Sequence, residues 1–450
     1  MNNFMTRSKN GYSYIFPYNE RYLKQLVIEV KEDKCYRDED DKKEMKFVYQ
    51  SLIDDLLSDR EKMPQFPELL WLYELNVVFE NTIFGDYLRK MILNEKYYNE
   101  NRERIKNFLF KIIHTGALEV KEKIKWKILY TCFILIEIYY EYKNVDLSKE
   151  NNEKIISLIK KCDNGLMVGI DVENKYLSRY AFLLHEMLPK KQNYEEENIE
   201  IEIPKRLETS LTIPTIMIEE EEKFITEYFN KSKPVIIKGY VNKWDGYNKW
   251  NHKYFYINHG YRNIPVEYGK SYTSEDYYSK VESFCDYLDK KTFNGYLAQH
   301  DIFHQIPILR KDVMITSLIF SDTTVNSFDD VDMNIFLGKS SSYSPLHQDP
   351  RCNFFCQVYG KKFVRLASNK KYDKENELYC YDSTTTHPNS SRVNVFDIDY
   401  NKYPSMKNVI FEDYLMEAGD CLFIPRGYFH SMYGITNSIS LSQWFGEKIF

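Results

Sequence analysis

The sequence predicts an α+β chain in which a helical N-terminal region precedes an all-β region. Two textures carry this reading. Through residues 1 to about 190, apolar residues recur at three- and four-residue steps and glycine is sparse, the mark of amphipathic helices. From residue 231 the chain breaks into short β-rich runs, each near a Gly, Pro, Asp or Asn, the mark of strands joined by turns. Many short strands in an all-β half predict a sandwich or barrel, whose mouth lets residues from separate strands converge.

The helical periodicity covers Tyr87–Leu109, Ile124–Tyr142 and Tyr176–Leu188. Asp146 to Glu150 reads as a cap before a further helix near Glu153–Lys161. Nothing in this part assembles a catalytic set, and its histidines, His114 and His185, read as ordinary helix residues. Residues 1–190 are therefore expected to form a docking or scaffold domain. Deleting residues 1–205 is then expected to spare catalysis.

Acidic runs at Glu195–Ile203 and Glu219–Glu222 bracket Pro204 and Pro214, so residues 191–230 read as an acidic linker and lead-in. Residues 1–230 carry 35 basic and 42 acidic side chains and the rest 26 and 25, so the acidity sits mostly in the N-terminal part. Residues 231–450 form the third segment. Its strand candidates are Pro234–Gly239, Ile264–Gly269, Met333–Leu337, Asn353–Tyr359, Lys362–Leu366, Cys421–Ile424 and Ile439–Trp444.

A net charge of −6 gives no bulk electrostatic case for a nucleic-acid or membrane partner. The most apolar stretch, Ile128–Tyr140, is short for a membrane span and contains Glu137. The eight cysteines include no C-x-x-C pair and read as free thiols of a soluble intracellular protein. Cys352 and Cys356, four apart, are read as not sharing a strand face.

The chemistry concentrates at His347-Gln348-Asp349 and at His430. In an extended strand, side chains at i and i+2 project to one face, so His347 and Asp349 point together. If a distant strand brings His430 alongside, two imidazoles and a carboxylate occupy one side of a metal, a set that suits non-haem Fe(II) oxygenases. The tripeptide alone also fits surface or core residues with no metal role. Pro345 and Pro350 bracket it and favour an extended presenting segment. In Gly360-Lys361-Lys362, alternation groups Lys362 with Val364 and Leu366, against Lys361, Phe363 and Arg365. A lysine facing a barrel interior requires an anionic partner. His300 and His304 give no second metal site by spacing, and His387 reads as exposed.

The stretches "PVIIKGYVNKW", "RNIPVEYGKSYTSEDYYS", "GYLAQHDIFHQIP", "SPLHQDPRCNFFCQVYGKKFVRL", "EAGDCLFIPRGYFH" and "SISLSQWF", in that order from about Pro234 to Phe445, resemble the jumonji-C 2-oxoglutarate oxygenases. The nearest resemblance is to the lysine demethylase 8 branch of protein arginyl hydroxylases. It implies a double-stranded β-helix, related to cupins, with iron held by His347, Asp349 and His430. It further implies 2-oxoglutarate bound by Lys362, Tyr296, Ser344 and Asn353, with O2 as co-substrate. The implied activity is hydroxylation of a protein side chain, foremost arginine, releasing succinate and CO2. Histone N-methyl-lysine demethylation, a tRNA-acting oxygenase and a non-catalytic binding module are the alternatives. The implied partner is a protein segment containing arginine or methyl-lysine. The expected location is nuclear and/or cytoplasmic. Because the sequence stops just after the last barrel strand, a monomer is expected. Phe336 departs from the family, whose members carry tryptophan there.

Overall fold

The computed structural model describes two short strands, β1 (Thr6–Ser8) and β2 (Gly11–Ser13), and most of residues 88–448. Within that range residues 89, 93, 115–119, 144–150, 172–174, 193, 198, 291–294, 369–377 and 382–386 are not described. The chain divides into two compact units, Met1–Asn144 and Val145–Phe450.

In the first unit, α1 (Glu95–His114) buries Tyr98, Ile105, Leu109 and Ile113, one stripe at helical spacing. Tyr98 stacks on Tyr140 of α2 (Val120–Lys143) with centroids 4.5 Å apart. The acid that interrupts the apolar run of α2, Glu137, is buried and accepts from Lys106 Nζ at 3.0 Å. The expected cap at Asp146–Glu150 lies outside the described residues. Among those residues no helix is long and apolar enough to cross a membrane.

The second unit is built on two sheets. One runs β10 (Tyr343–Gln348), β15 (Phe429–Gly434), β12 (Lys362–Ala367), β13 (Glu412–Met416), β3 (Leu211–Thr212). The other runs β4 (Thr215–Met217), β5 (Val235–Lys238), β14 (Cys421–Ile424), β11 (Cys352–Tyr359), β16 (Ser438–Phe445), β9 (Asp332–Gly338), β8 (Tyr296–His300), β6 (Asn263–Tyr268), β7 (Tyr278–Ser283). From β9 to β12, and again from β13 to β16, consecutive strands alternate between the sheets, which is the double-stranded β-helix expected. Ile236, Phe355 and Leu422 of one sheet pack against Val364, Leu366 and Met432 of the other. The opposite face of the larger sheet is sealed by Phe224, Trp244, Trp250 and Phe255.

Three expectations change. Residues 152–186 fold with the barrel, so the compact boundary falls at 144/145 and not at 190. The physical reason is Asp163 on α3 (Asn152–Val168), which is fully buried and accepts from Arg262 Nη2 at 2.6 Å and Asn263 N at 2.7 Å. Its neighbour α4 (Tyr176–Glu186) buries Leu177, Tyr180 and Leu184. The acidic lead-in is no free linker either. β3 and β4 join opposite sheets, and Glu196 accepts from Tyr359 and from Asn437, each at 3.2 Å. Finally, Cys352 and Cys356 both lie on β11 in one core cluster, because positions four apart in a strand do share a face.

A truncation series follows from the buried pair. Removing residues 1–144 is expected to leave the barrel unit folded. Removing 1–205 would strand Arg262 without Asp163, at about 3–5 kcal/mol, and would also expose apolar core. Thermal denaturation of both truncations checks this; equal melting temperatures would take α3 and α4 out of the core.

Candidate active site

His347 and His430 are register partners in the antiparallel pairing of β10 with β15. β10 carries an irregularity between Ser344 and His347, the kind of bulge that re-aims a side chain. Asp349 follows just past the strand, and its carbonyl accepts from Gly427 N at 2.8 Å. The tight turn that starts the second histidine's strand is thereby tied to the first pair.

One ligand atom from each of His347, Asp349 and His430 lies within 4.8 Å of the others, the one such group of three among the described residues. His347 Nε2 is 3.8 Å from Asp349 Oδ1, and His430 Nε2 is 3.6 Å from Asp349 Oδ2. His347 Nδ1 lies 2.7 Å from the Pro345 carbonyl and His430 Nδ1 2.9 Å from that of Tyr428. Carbonyls only accept, so each Nδ1 carries a proton, and in the neutral tautomer that leaves the Nε2 lone pair to face the cluster. Burial, reinforced by His347, pushes His430 down to about 4, leaving it neutral at physiological pH. Trp444 Nε1 donates to Asp349 Oδ2 at 2.8 Å and orients the carboxylate. Two imidazole nitrogens and one carboxylate form a donor set that fits Fe(II) with coordination positions left open.

Lys362 is positioned by the turn before it. Gly360 has φ +72°, and a Cβ there would clash with the Asn437 carbonyl, so glycine alone makes this turn. Lys362 is 1% exposed and donates to the Tyr296 hydroxyl at 3.0 Å. Its ammonium lies 5.2, 5.7 and 5.3 Å from the ring centroids of Tyr296, Phe336 and Phe355. No carboxylate among the described residues pairs with it, and burial pushes it down to about 7. The cations on the other face are committed: Lys361 pairs with Glu200 at 3.1 Å and Arg365 with buried Asp413 at 2.8 Å.

A cavity of about 390 Å³ joins these parts, lined by the three-residue cluster with Tyr296, Phe336, Ser344 and Asn353. Lys362 stands behind Tyr296, whose hydroxyl also hydrogen-bonds Ser344 and is kept protonated by burial. Asn353 donates to Ser442 Oγ at 3.2 Å and accepts from Gln443 N at 3.2 Å. Phe336 is therefore a wall for Lys362, with Trp444 6.3 Å away.

Sequence reasoning assigned no role to several residues of this cavity. Glu267, on β6, lines it beside Tyr272 and Tyr277. Burial pushes Glu267 up to about 7 while Tyr277 hydrogen-bonds it. The available signal was a lone carboxylate within the apolar strand Ile264-Pro-Val-Glu-Tyr268. Gln299 lines the mouth with φ +49° at the irregularity of β8, a strained position of the kind found at functional sites. His387 is not exposed as expected: it is half-buried on the cavity wall, its ring 5.2 Å from Tyr272. Ser390 holds that segment inward, bridging to His347 and bonding the Tyr272 hydroxyl at 3.1 Å. His300 bonds Gln305 at 2.6 Å, away from the cluster.

A family profile described as a cupin-like domain matches residues 221–449. The chain is 33% identical over 243 residues to lysine-specific demethylase 8 of Xenopus tropicalis, covering 53% of this chain and 54% of the relative. To lysine-specific demethylase 8 of Danio rerio it is 30% identical over 304 residues, 64% of this chain and 73% of the relative. To Jumonji C domain-containing protein 5 of Drosophila melanogaster it is 30% identical, covering 53% and 61%. The chain thus spans about half of the frog relative's length and somewhat more of the other two.

Proposed function

We propose that this chain, which belongs to the cupin-like family in its jumonji-C group of 2-oxoglutarate oxygenases, hydroxylates an arginine side chain of a protein. His347, Asp349 and His430 would hold Fe(II). The chemistry supplied at that site is oxidative decarboxylation of 2-oxoglutarate by O2 to succinate and CO2, coupled to insertion of one oxygen atom into a C–H bond. The chain's own residues bind, orient and shield. Lys362, Tyr296, Ser344 and Asn353 would take the co-substrate, whose far carboxylate supplies the anion that a buried lysine lacks.

The observation that favours arginine is Glu267, a buried carboxylate lining the same cavity as the metal cluster. A planar guanidinium offers a fork of donors that matches a carboxylate bidentately, and its charge would restore the ionised form that burial disfavours. A methylated ammonium has the charge but few or no donors. N-methyl-lysine demethylation is the same oxidation ending in loss of formaldehyde; the names of the frog and zebrafish relatives favour it as the second reading. A nucleus and/or cytoplasm location belongs to the same proposal.

The test is succinate release by Fe(II)-loaded protein with arginine- and methyl-lysine-containing peptides, with His347→Ala as blank. A peptide mass gain of one oxygen is expected, and Glu267→Gln should raise the peptide KM about 10- to 100-fold while leaving peptide-free turnover unchanged. Loss of a methyl group would move the assignment to demethylation. Bound iron with no turnover of any peptide would overturn both.

A further inference from the structure

Beside the metal cavity lies a second, larger space of about 850 Å³. Glu267, Tyr272, Tyr277, Tyr296 and Tyr343 line both, so the two adjoin along this row of side chains. Its volume sits toward the upper end of those that enclose drug-sized ligands. One amino-acid side chain does not fill it, which leaves room for the polypeptide on either side of the modified residue.

Part of its wall is made of three rings. Tyr343 on β10 and Tyr433 on β15 are register partners. Tyr433 also pairs with Phe363, while its neighbour Met432 pairs with Val364 in the core between the sheets. By alternation the Tyr433 ring therefore stands on the opposite, outer face. Phe396 completes the group, with centroids 5.9 Å from Tyr343 and 5.4 Å from Tyr433, and Tyr343 lies 6.3 Å from Tyr433. All three are half-buried and line the groove. The spacing is that of rings in mutual contact, a platform rather than a cage open to a cation. Phe396 already carries the Arg365 guanidinium at 5.6 Å, and that charge is matched by Asp413. The platform thus has its cation from within the protein, and its groove side offers ring faces and edges. Pro204, from the acidic lead-in, lines the same groove.

We propose that Tyr343, Phe396 and Tyr433 form a docking subsite for an apolar or aromatic residue that flanks the modified side chain in the same polypeptide substrate. The inference rests on the protein-oxygenase reading above and extends it to what lies beside the target residue. Two chemistries then select a substrate: the carboxylate of Glu267 takes the cation in the cavity, and the rings take an apolar neighbour in the groove.

An arginine-centred peptide library with randomised flanks, incubated with the full chain, Fe(II) and 2-oxoglutarate, tests this by the sequences of the peptides that gain oxygen. Wild type is expected to enrich Phe, Tyr, Trp or Leu at one flanking position. Tyr433→Ala should lose that enrichment and raise the KM of the best peptide roughly three- to tenfold, with kcat, the KM for 2-oxoglutarate and peptide-free turnover unchanged. Tyr433→Phe, which keeps the ring, should behave as wild type. The best peptide trimmed of its flank should show one KM in all three proteins. Hydroxylation with the same enrichment and KM in Tyr433→Ala would overturn the subsite and leave the oxygenase reading standing. No peptide modified, with peptide-free turnover intact, would overturn both, since the groove would then have no polypeptide occupant.

Discussion

Asp349→Ala is expected to reduce Fe(II)-dependent succinate release to background, a larger loss than the roughly 10- to 100-fold that removing an outer-shell partner of a metal ligand costs. Asp349 stands between the two imidazoles, 3.8 and 3.6 Å from their Nε2 atoms, and contributes the negative charge of the set. Without it only the two imidazole nitrogens remain. The fold should survive, because the side chain is partly solvated and its remaining tie is the Trp444 indole. Leaving that N–H without its acceptor costs about 1–3 kcal/mol. Asp349→Asn separates the two roles, since an amide oxygen still accepts from Trp444 while the charge is gone. Its melting temperature should return toward wild type while turnover stays lost. Full turnover in Asp349→Ala would remove the residue from the site.

The legible parts of this protein were those set by local pattern. His347 and Asp349 could be paired because strand alternation and two flanking prolines act within six residues. Lys362 could be turned inward for the same reason, and its companions Val364 and Leu366 do lie in the core. His430 was different. No local rule places a residue 83 positions downstream opposite His347; only the resemblance did, and the register of β10 with β15 realises it. What escaped was long-range or polar. Asp163 looks like any helix acid until Arg262, 99 residues away, fills its carboxylate. Acidic runs read as solvated, yet Glu196 accepts two hydrogen bonds from barrel residues. His387 was missed because its inward turn depends on Ser390 bridging to His347, a contact with no sequence signature. The error over Cys352 and Cys356 had no such excuse, since alternation alone decides it.

Lys362→Met is expected to weaken 2-oxoglutarate binding and to stabilise the ligand-free protein, a pair of opposite signs that marks a residue kept for binding. A charge-assisted hydrogen bond is worth about 1.5–3 kcal/mol, so the KM for 2-oxoglutarate should rise roughly 10- to 100-fold while iron binding is unchanged. The stability gain follows from the lowered pKa. Burial takes Lys362 from 10.5 to about 7, so between those values the unfolded chain holds a proton that the folded chain has released. Stability contributed by this group therefore rises with pH from 7 to 10.5, and below 7 the folded protein bears the full cost of a buried ammonium. Methionine fills the space without that cost, so the difference between wild-type and variant denaturation curves should be largest below pH 7, shrink as pH rises above it and vanish near 10.5. Binding carries the complementary signature. At pH 8 the free lysine is mostly neutral, and an incoming carboxylate would recharge it, so wild type should take up a proton on binding and lose affinity by up to tenfold per pH unit above 7. Titration calorimetry in two buffers of different ionisation heat reads that uptake directly. Equal uptake in Lys362→Met would assign the proton to another group, although the other cations of this segment, Lys361 and Arg365, already hold Glu200 and Asp413.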